Sequence, residues 1–428
     1  MQERLQKPDP TSDDPNRAEP APAHAVELVE HDGTVHGEIE ALLHQEPFRG
    51  RALLGAVHVQ RMDVAPSVIA AVPACNEARR IVATLDSLAV SLTRTDEPWA
   101  IVVLANNSQD ATVSLAQDWG KRSDAPLMIA EALFTRHAAN AGHARRLALD
   151  IAHAGARPDA VLLSTDADTL VGPEWASRLV ARIRCGASVV AGWIETDADE
   201  FAALPAHVRR AERTERALFG AQWALWRALV PDAPPAFAIR AGGASLALDR
   251  RAYERVGRLP TVAVGEDRAM IAAMLREDER VEMAFDAPIS TSCRLEGRVE
   301  YGMSGMLRAR LREADPSCDE LLLPANDFVL RTLAWRLLRD ARCGWARAAL
   351  MRDAEAVAAA LGLSATDLFP HRSTHGRDWE RVEALLPAPE RLRVSQARVE
   401  KERARLLLNR IAGREGDGEA IIAEVRSC

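Results

Sequence analysis

Three short, almost wholly apolar runs, each closing in a polar turn, limit what this chain can fold into more than any other feature. Val68-Ile69-Ala70-Ala71-Val72 stops at Pro73, and Ala100-Ile101-Val102-Val103-Leu104 runs to Asn106-Asn107-Ser108. Ala160-Val161-Leu162-Leu163-Ser164 leads straight into Thr165-Asp166-Ala167-Asp168. A strand apolar on both faces must be covered on both faces, which is the condition of a parallel sheet between layers of helix. The intervening segments supply those helices. Apolar residues at 81, 82, 85 and 88 predict one from Glu77 to Ala89, and Asp110 to Trp119 reads as another. Leu127–Ala132 reads as a further strand, and Gly142–Ala154 as a helix with apolar residues at 147, 148, 151 and 152. This alternation predicts a doubly wound, mostly parallel α/β sheet with flanking helices. Such sheets bind ligands beyond the carboxyl ends of their strands, where all three polar turns fall.

The rest of the 428 residues suggests appendages at both ends. Residues 1–24, rich in Pro, Asp, Glu, Ala and Ser, are expected to be disordered. Residues 25–62 hold two weakly periodic pieces, around Val26–Val29 and Ile39–Leu43, expected to form a lid or a packing arm. After Val189–Trp193 the pattern is helical through Val230; a Gly242-Gly243 turn, Ser245–Leu248 and a helix from Gly265-Glu266-Asp267 to Leu275 follow. From about Asp319 the chain reads mainly as helix, with a capping-box-like start at Ser364 and Asp367. Val394–Ala412 is expected to pack against the main domain. The plan is thus an extension (1–64), an α/β domain (65–318) and a helical C-terminal region (319–428).

Composition narrows the function classes. A net charge of −8 argues against a nucleic-acid-binding surface, since phosphate neutralisation needs clustered positive charge. Cysteines 75, 185, 293, 318, 343 and 428 are scattered with no CxxC pair, which fits a reducing, cytoplasmic setting. The N-terminus lacks the apolar core of a signal peptide. The most apolar stretch, Ala217–Ile239, is broken by Arg227, Asp232 and three prolines, so no transmembrane segment is expected.

Two acidic pairs carry the candidate chemistry. Asp166 and Asp168, two residues apart after a buried strand, can direct oxygens to one divalent cation and to a neighbouring hydroxyl; Mg²⁺ and Mn²⁺ favour such ligands. By itself D-x-D reads more readily as a pair of loop or capping aspartates. Glu266-Asp267, opening a helix about 100 residues on, could supply a general base, although helix N-termini favour acidic residues for dipole reasons alone.

Taken in order, Pro73-Ala74-Cys75-Asn76-Glu77, Asn106-Asn107-Ser108-Gln109-Asp110-Ala111-Thr112, Asn140-Ala141-Gly142-His143-Ala144-Arg145-Arg146, Asp166-Ala167-Asp168 and Gly265-Glu266-Asp267 resemble the inverting family 2 glycosyltransferases of the GT-A fold, over roughly residues 66–310. The resemblance implies a nucleotide-sugar donor, a divalent metal and an acceptor hydroxyl. It implies that Pro73, Ala74, Cys75, Glu77 and Asn106 line the nucleoside pocket, with Asp110 structural. Asp166 would lie near the ribose, Asp168 would hold Mg²⁺ or Mn²⁺ against the diphosphate, and Asp267, beside Glu266, would deprotonate the acceptor. The family often has Tyr where this chain has Cys75 and usually Asp where it has Asn106, and no His lies between 207 and 371 to join the metal.

Other segments admit two readings each. Gly242-Gly243 resembles the family's acceptor-side strand and equally suits a simple turn. Arg294 and Arg298 could reach the diphosphate or lie on a solvated helix face. Arg145 is grouped with the donor ligands, while at least one of Arg145 and Arg146 is expected on a helix surface. Trp223, with Phe219 and Trp226 on the helix from Glu212 to Leu229, is either core or an aromatic wall for an acceptor. The acceptor is expected to be soluble or peripheral. The alternatives to sugar transfer are a nucleotidyltransferase of related fold and a catalytically silent binding protein.

Overall fold

The computed structural model describes residues 32–233, 237, 239–295, 303–344, 347–411 and 418–427. Its strands are β1 (Ala52–Gln60), β2 (Val68–Ala74), β3 (Trp99–Asn106), β4 (Leu127–Phe134), β5 (Val161–Ser164), β6 (Thr169–Val171), β7 (Val189–Thr196), β8 (Leu246–Asp249) and β9 (Val281–Thr291). They make one nine-stranded sheet in the order β1-β4-β3-β2-β5-β8-β7-β9-β6. β4, β3, β2 and β5 are parallel neighbours, and β7 and β9 pair in parallel. β1, β6 and β8 run against the others. The sheet is therefore mixed but mostly parallel, the GT-A-type architecture that the motifs imply.

The apolar strands read from sequence are the buried centre, and their alternation divides two cores. Ile69 and Ala71 of β2 face one side; Val68, Ala70, Val72 and Ala74 face the other. On the first side lie α1 (Asp32–Leu43), α4 (Ala141–Gly155), α8 (Arg250–Arg255) and α9 (Glu266–Arg276), and on the second α2 (Ile81–Leu92), α3 (Thr112–Ser123) and α5 (Trp175–Arg184). Beyond the sheet come α6 (Ala198–Ala203) and α7 (Ala206–Leu229), then α10 (Met303–Arg312), α11 (Ala325–Arg342), α12 (Arg347–Leu361), α13 (His375–Leu385), α14 (Val394–Ile411) and α15 (Gly418–Ser427).

The structure also departs from the sequence reading. The helix expected from Glu77 begins only at Ile81, because Glu77 gives its amide to the Thr112 hydroxyl and its carboxylate to Arg294. The extension is a packing arm. Ile39, Leu43 and Phe48 are buried against the α4 side, and β1 adds an antiparallel edge to β4. The pieces at 1–24 and Val26–Val29 lie outside the described residues. The Ser364–Asp367 capping box is present, but it opens a short 3₁₀ turn (Ala365–Leu368) instead of an α-helix.

The C-terminal helices cover α7. Leu225, Trp226 and Leu229 are buried with Phe328, Leu333 and Leu337 of α11, Val357 of α12 and Leu407 of α14. Arg310 of α10 is buried between Glu212 and Glu215 of α7, at 2.7 and 2.6 Å. Arg146 packs inward, bonded to Asp150 at 2.6 Å and to the Leu259 carbonyl at 2.6 Å. With Arg145 buried as well, neither arginine of that pair has the helix-surface place expected for at least one.

Candidate active site

The turns after β2 and β3 are stitched together. Asn76 takes a left-handed conformation (φ 53°), which Asn tolerates better than most residues, and its side chain accepts the Gln109 amide at 2.7 Å. The Ser108 hydroxyl accepts the Asn76 amide at 3.2 Å and donates to the Ala74 carbonyl at 3.3 Å. Asp110 accepts the amides of Ala78 and Thr112, both at 3.0 Å, the structural role expected of it. These bonds hold Pro73, Cys75, Glu77 and Asn106 at one strand-end wall. Ala74 and Asn106 are buried, while Pro73 and Cys75 are half-buried.

A second constellation centres on Arg145. It projects from the first turns of α4, whose N-terminus is capped by the Asn140 side chain accepting the His143 amide. The guanidinium donates from Nε to Glu266 at 3.0 Å, from Nη1 to the Ser164 hydroxyl at 2.8 Å and the Gly243 carbonyl at 2.7 Å, and from Nη2 to Asp166 at 2.6 Å. It therefore faces four groups of the protein itself, where the sequence reading grouped it with the donor ligands. Burial works against its charge, but Asp166 and Glu266 hold its pKa above the ordinary guanidinium value. Gly243 gives its own amide to Asp267 at 2.9 Å, and Asp267 accepts the Arg268 amide at 2.7 Å as well. Burial, then the adjacent Glu266, raises the Asp267 pKa, with Arg145 and the two amides opposing.

Asp168 belongs to a third set. Arg294 grips the Glu77 carboxylate with both terminal nitrogens, one at 2.6 Å, and stands 3.2 Å from Asp168. Glu200 of α6 fixes this segment by accepting the Ser292 hydroxyl at 2.9 Å and the Cys293 amide at 2.7 Å, while pairing with Arg80 at 2.5 Å. Burial pushes Asp168 up to about 6; Asp166 adds to the rise and Arg294 works against it. Arg298 lies outside the described residues. Glu200, Arg80 and Ser164 escaped sequence reading, since partners some 80 to 120 residues apart leave no local pattern.

On the other side of Gly242 stands an aromatic cluster. A Cβ at Gly242 would fall 2.3 Å from the Ile194 Cδ1, so any larger residue there would displace the end of that side chain. Trp193, Phe219, Trp223 and Phe285 meet with ring centroids 4.8 to 6.5 Å apart, around an open hollow of about 320 Å³. The Arg240 guanidinium, two residues before Gly242, lies 5.8 Å over the Phe219 ring. Trp223 is half-buried and lines this hollow.

Among the described residues no group of three or more His, Cys, Asp or Glu could hold a metal unaided. The donor set still fits a cation of the kind expected. Mg²⁺ takes one or two carboxylates and completes its shell with waters and substrate phosphates, and Asp168, with Asp166 beside it, offers that number.

Asp166 and Asp168 thus follow β5 at the strand ends of a mostly parallel sheet, while Glu266 and Asp267 open α9. Residues 69–241 match the family model for glycosyl transferase family 2, the family that the motifs resemble. Gly242, Gly243, Glu266 and Asp267 follow the matched stretch. No curated protein matches the chain. Solved structures to which it is similar include the mannosyltransferase PcManGT from Pyrobaculum calidifontis in complex with GDP-Man and Mn²⁺, at 17% identity and a TM-score of 0.41, covering 93% of this chain and 95% of that one. Another is S. aureus TarS 1–349 in complex with UDP, at 14% identity and a TM-score of 0.40, covering 81% and 91%. A third is glucosyl-3-phosphoglycerate synthase from Mycobacterium tuberculosis in complex with phosphoglyceric acid, at 17% identity and a TM-score of 0.35, covering 59% and 81%. No described helix is long and apolar enough to cross a membrane.

Proposed function

We propose that this protein transfers a sugar from a nucleotide-diphosphate sugar to an acceptor hydroxyl, with inversion at the anomeric carbon and with Mg²⁺ or Mn²⁺ assisting. The observation that carries the reading is the hydrogen-bonded chain from Asp166 through Arg145 and Gly243 to Asp267, which sets a donor-side carboxylate and a candidate base at fixed positions. The nucleoside lies along Pro73 to Glu77 and Asn106, and Asp166 accepts from a ribose hydroxyl. Arg294, already held beside Asp168 by Glu77, is within reach of the diphosphate that Asp168 helps to bind. Asp267 takes the proton from the acceptor hydroxyl, whose oxygen attacks the anomeric carbon as the bond to the diphosphate breaks. A carboxylate with a raised pKa is the stronger base for that step. A divalent cation held by Asp168 would act as a Lewis acid, neutralising charge on the departing nucleoside diphosphate. The acceptor approaches past Gly242, Gly243 and Trp223, and the setting is cytoplasmic, with a soluble or peripheral acceptor.

The test is a thermal-shift screen with UDP, GDP and their sugars, with and without Mn²⁺, since a ligand that binds only the folded state raises its stability. Metal-dependent stabilisation by one nucleotide is expected, lost in Asp168→Ala. Asp267→Asn should keep that stabilisation while transfer falls about a hundredfold or more. Pyrophosphate, in place of nucleoside diphosphate, as the product would identify a nucleotidyltransferase. Stabilisation by a nucleotide with no turnover of any nucleotide sugar would identify a silent binding protein.

A further inference from the structure

We infer that Arg145 is a positioning residue that locks the donor half-site and the acceptor half-site into one rigid frame, and that it touches neither substrate. The inference rests on the proposed sugar transfer. Four partners fix the guanidinium plane. Two lie on the donor side, Asp166 and Ser164 at the end of β5, and two on the acceptor side, the Gly243 carbonyl and Glu266 at the start of α9. Ser164 reinforces the link by donating its hydroxyl to the same Gly243 carbonyl at 3.0 Å. The Gly243 peptide then carries the geometry onward, its carbonyl facing Arg145 and its amide facing Asp267.

The fit leaves no slack. A Cβ at position 243 would lie 2.3 Å from the Arg145 Cζ, so the peptide lies directly against the guanidinium. The side chain is only 6% exposed, and its four partners come from three separate stretches of chain. A planar fork with fixed donor directions can hold such a set, whereas an ammonium on a flexible stem supplies the charge without the angles. In-line attack requires the deprotonated acceptor oxygen and the anomeric carbon to meet within a narrow geometry. A misplacement of about 1 Å costs on the order of a hundredfold in rate.

The experiment compares wild type, Arg145→Lys and Ser164→Ala, with UDP-glucose and GDP-mannose as donor probes in the presence of Mn²⁺, reading release of nucleoside diphosphate. For whichever probe the wild type turns over, Arg145→Lys should lower kcat roughly a hundredfold and leave the donor KM within about threefold. Ser164→Ala, which removes one strut and keeps the arginine, should lower kcat about tenfold at unchanged KM, and it serves if Arg145→Lys does not fold. A donor KM that rises with kcat preserved would make Arg145 a donor ligand and overturn the inference. Unchanged kcat in both variants would also overturn it. If the wild type binds no nucleotide and releases none, sugar transfer itself fails, and the inference fails with it.

Discussion

At Asp168 function and stability pull against each other. Its carboxylate is 14% exposed, and burial and Asp166 raise its pKa from 3.8 to about 6. Below pH 4 the group is protonated in both folded and unfolded chains and costs nothing. Between pH 4 and 6 the folded chain binds the extra proton, so stability falls as pH rises, and above pH 6 the full penalty of an ionised buried carboxylate remains. Asp168→Asn removes that penalty. The variant should be more stable than wild type by about 3 kcal/mol at pH 7, with the difference vanishing towards pH 4, while donor turnover is lost. Chemical denaturation of both proteins at the two pH values measures this, and equal stability at pH 7 would mean that the folded chain holds Asp168 near the ordinary carboxylate value. The sequence placed Asp168 correctly at a strand end because the strand is apolar and its periodicity local. It could not place Arg145, whose partners lie 19, 21, 98 and 121 residues away. A basic residue on a helix looks the same in sequence whether it faces water or a buried carboxylate.

The same contrast runs through the elements. β2, β3 and β5 were legible because burial on both faces leaves an unbroken apolar run. β1 and β9 were not, because each mixes buried and exposed positions, and β9 carries an irregularity opposite Trp193 that breaks its alternation. The start of α9 was legible as a helix N-terminus, and its geometry explains why glycine precedes the acidic pair. Gly265 has φ +77° at the N-cap with no side-chain cap. An L-residue in that left-handed conformation costs about 1 to 2 kcal/mol. Open space surrounds its missing Cβ, so Gly265→Ala should lower stability by about that amount without a clash. Because Glu266 and Asp267 are the next two residues, relaxing the turn also moves the candidate base, so turnover should fall further than the stability loss explains. A denaturation midpoint and a turnover rate both equal to wild type would show that the turn adapts.

For the molecule as a whole, the question is whether the C-terminal helices form a unit of their own or complete the α/β domain. α7 lies between the two regions. Leu225 and Trp226 are fully buried, and Leu229 nearly so, against α11, α12 and α14. Asp319 receives Arg268, the residue after the candidate base, at 2.9 Å, so the same region also braces the start of α9. Burying one large apolar side chain is worth about 1.5 to 3 kcal/mol. Uncovering three of them, together with the unpaired Arg268, removes an amount comparable with the 5–15 kcal/mol that holds a typical domain folded. A chain ending at residue 318 should therefore give no cooperative thermal transition, and the full chain should unfold in one. Calorimetry on both decides the matter. Two separated transitions in the full chain, or a shortened chain that melts at the full-length temperature, would make residues 319–428 an independent unit that leaves the active site standing without it.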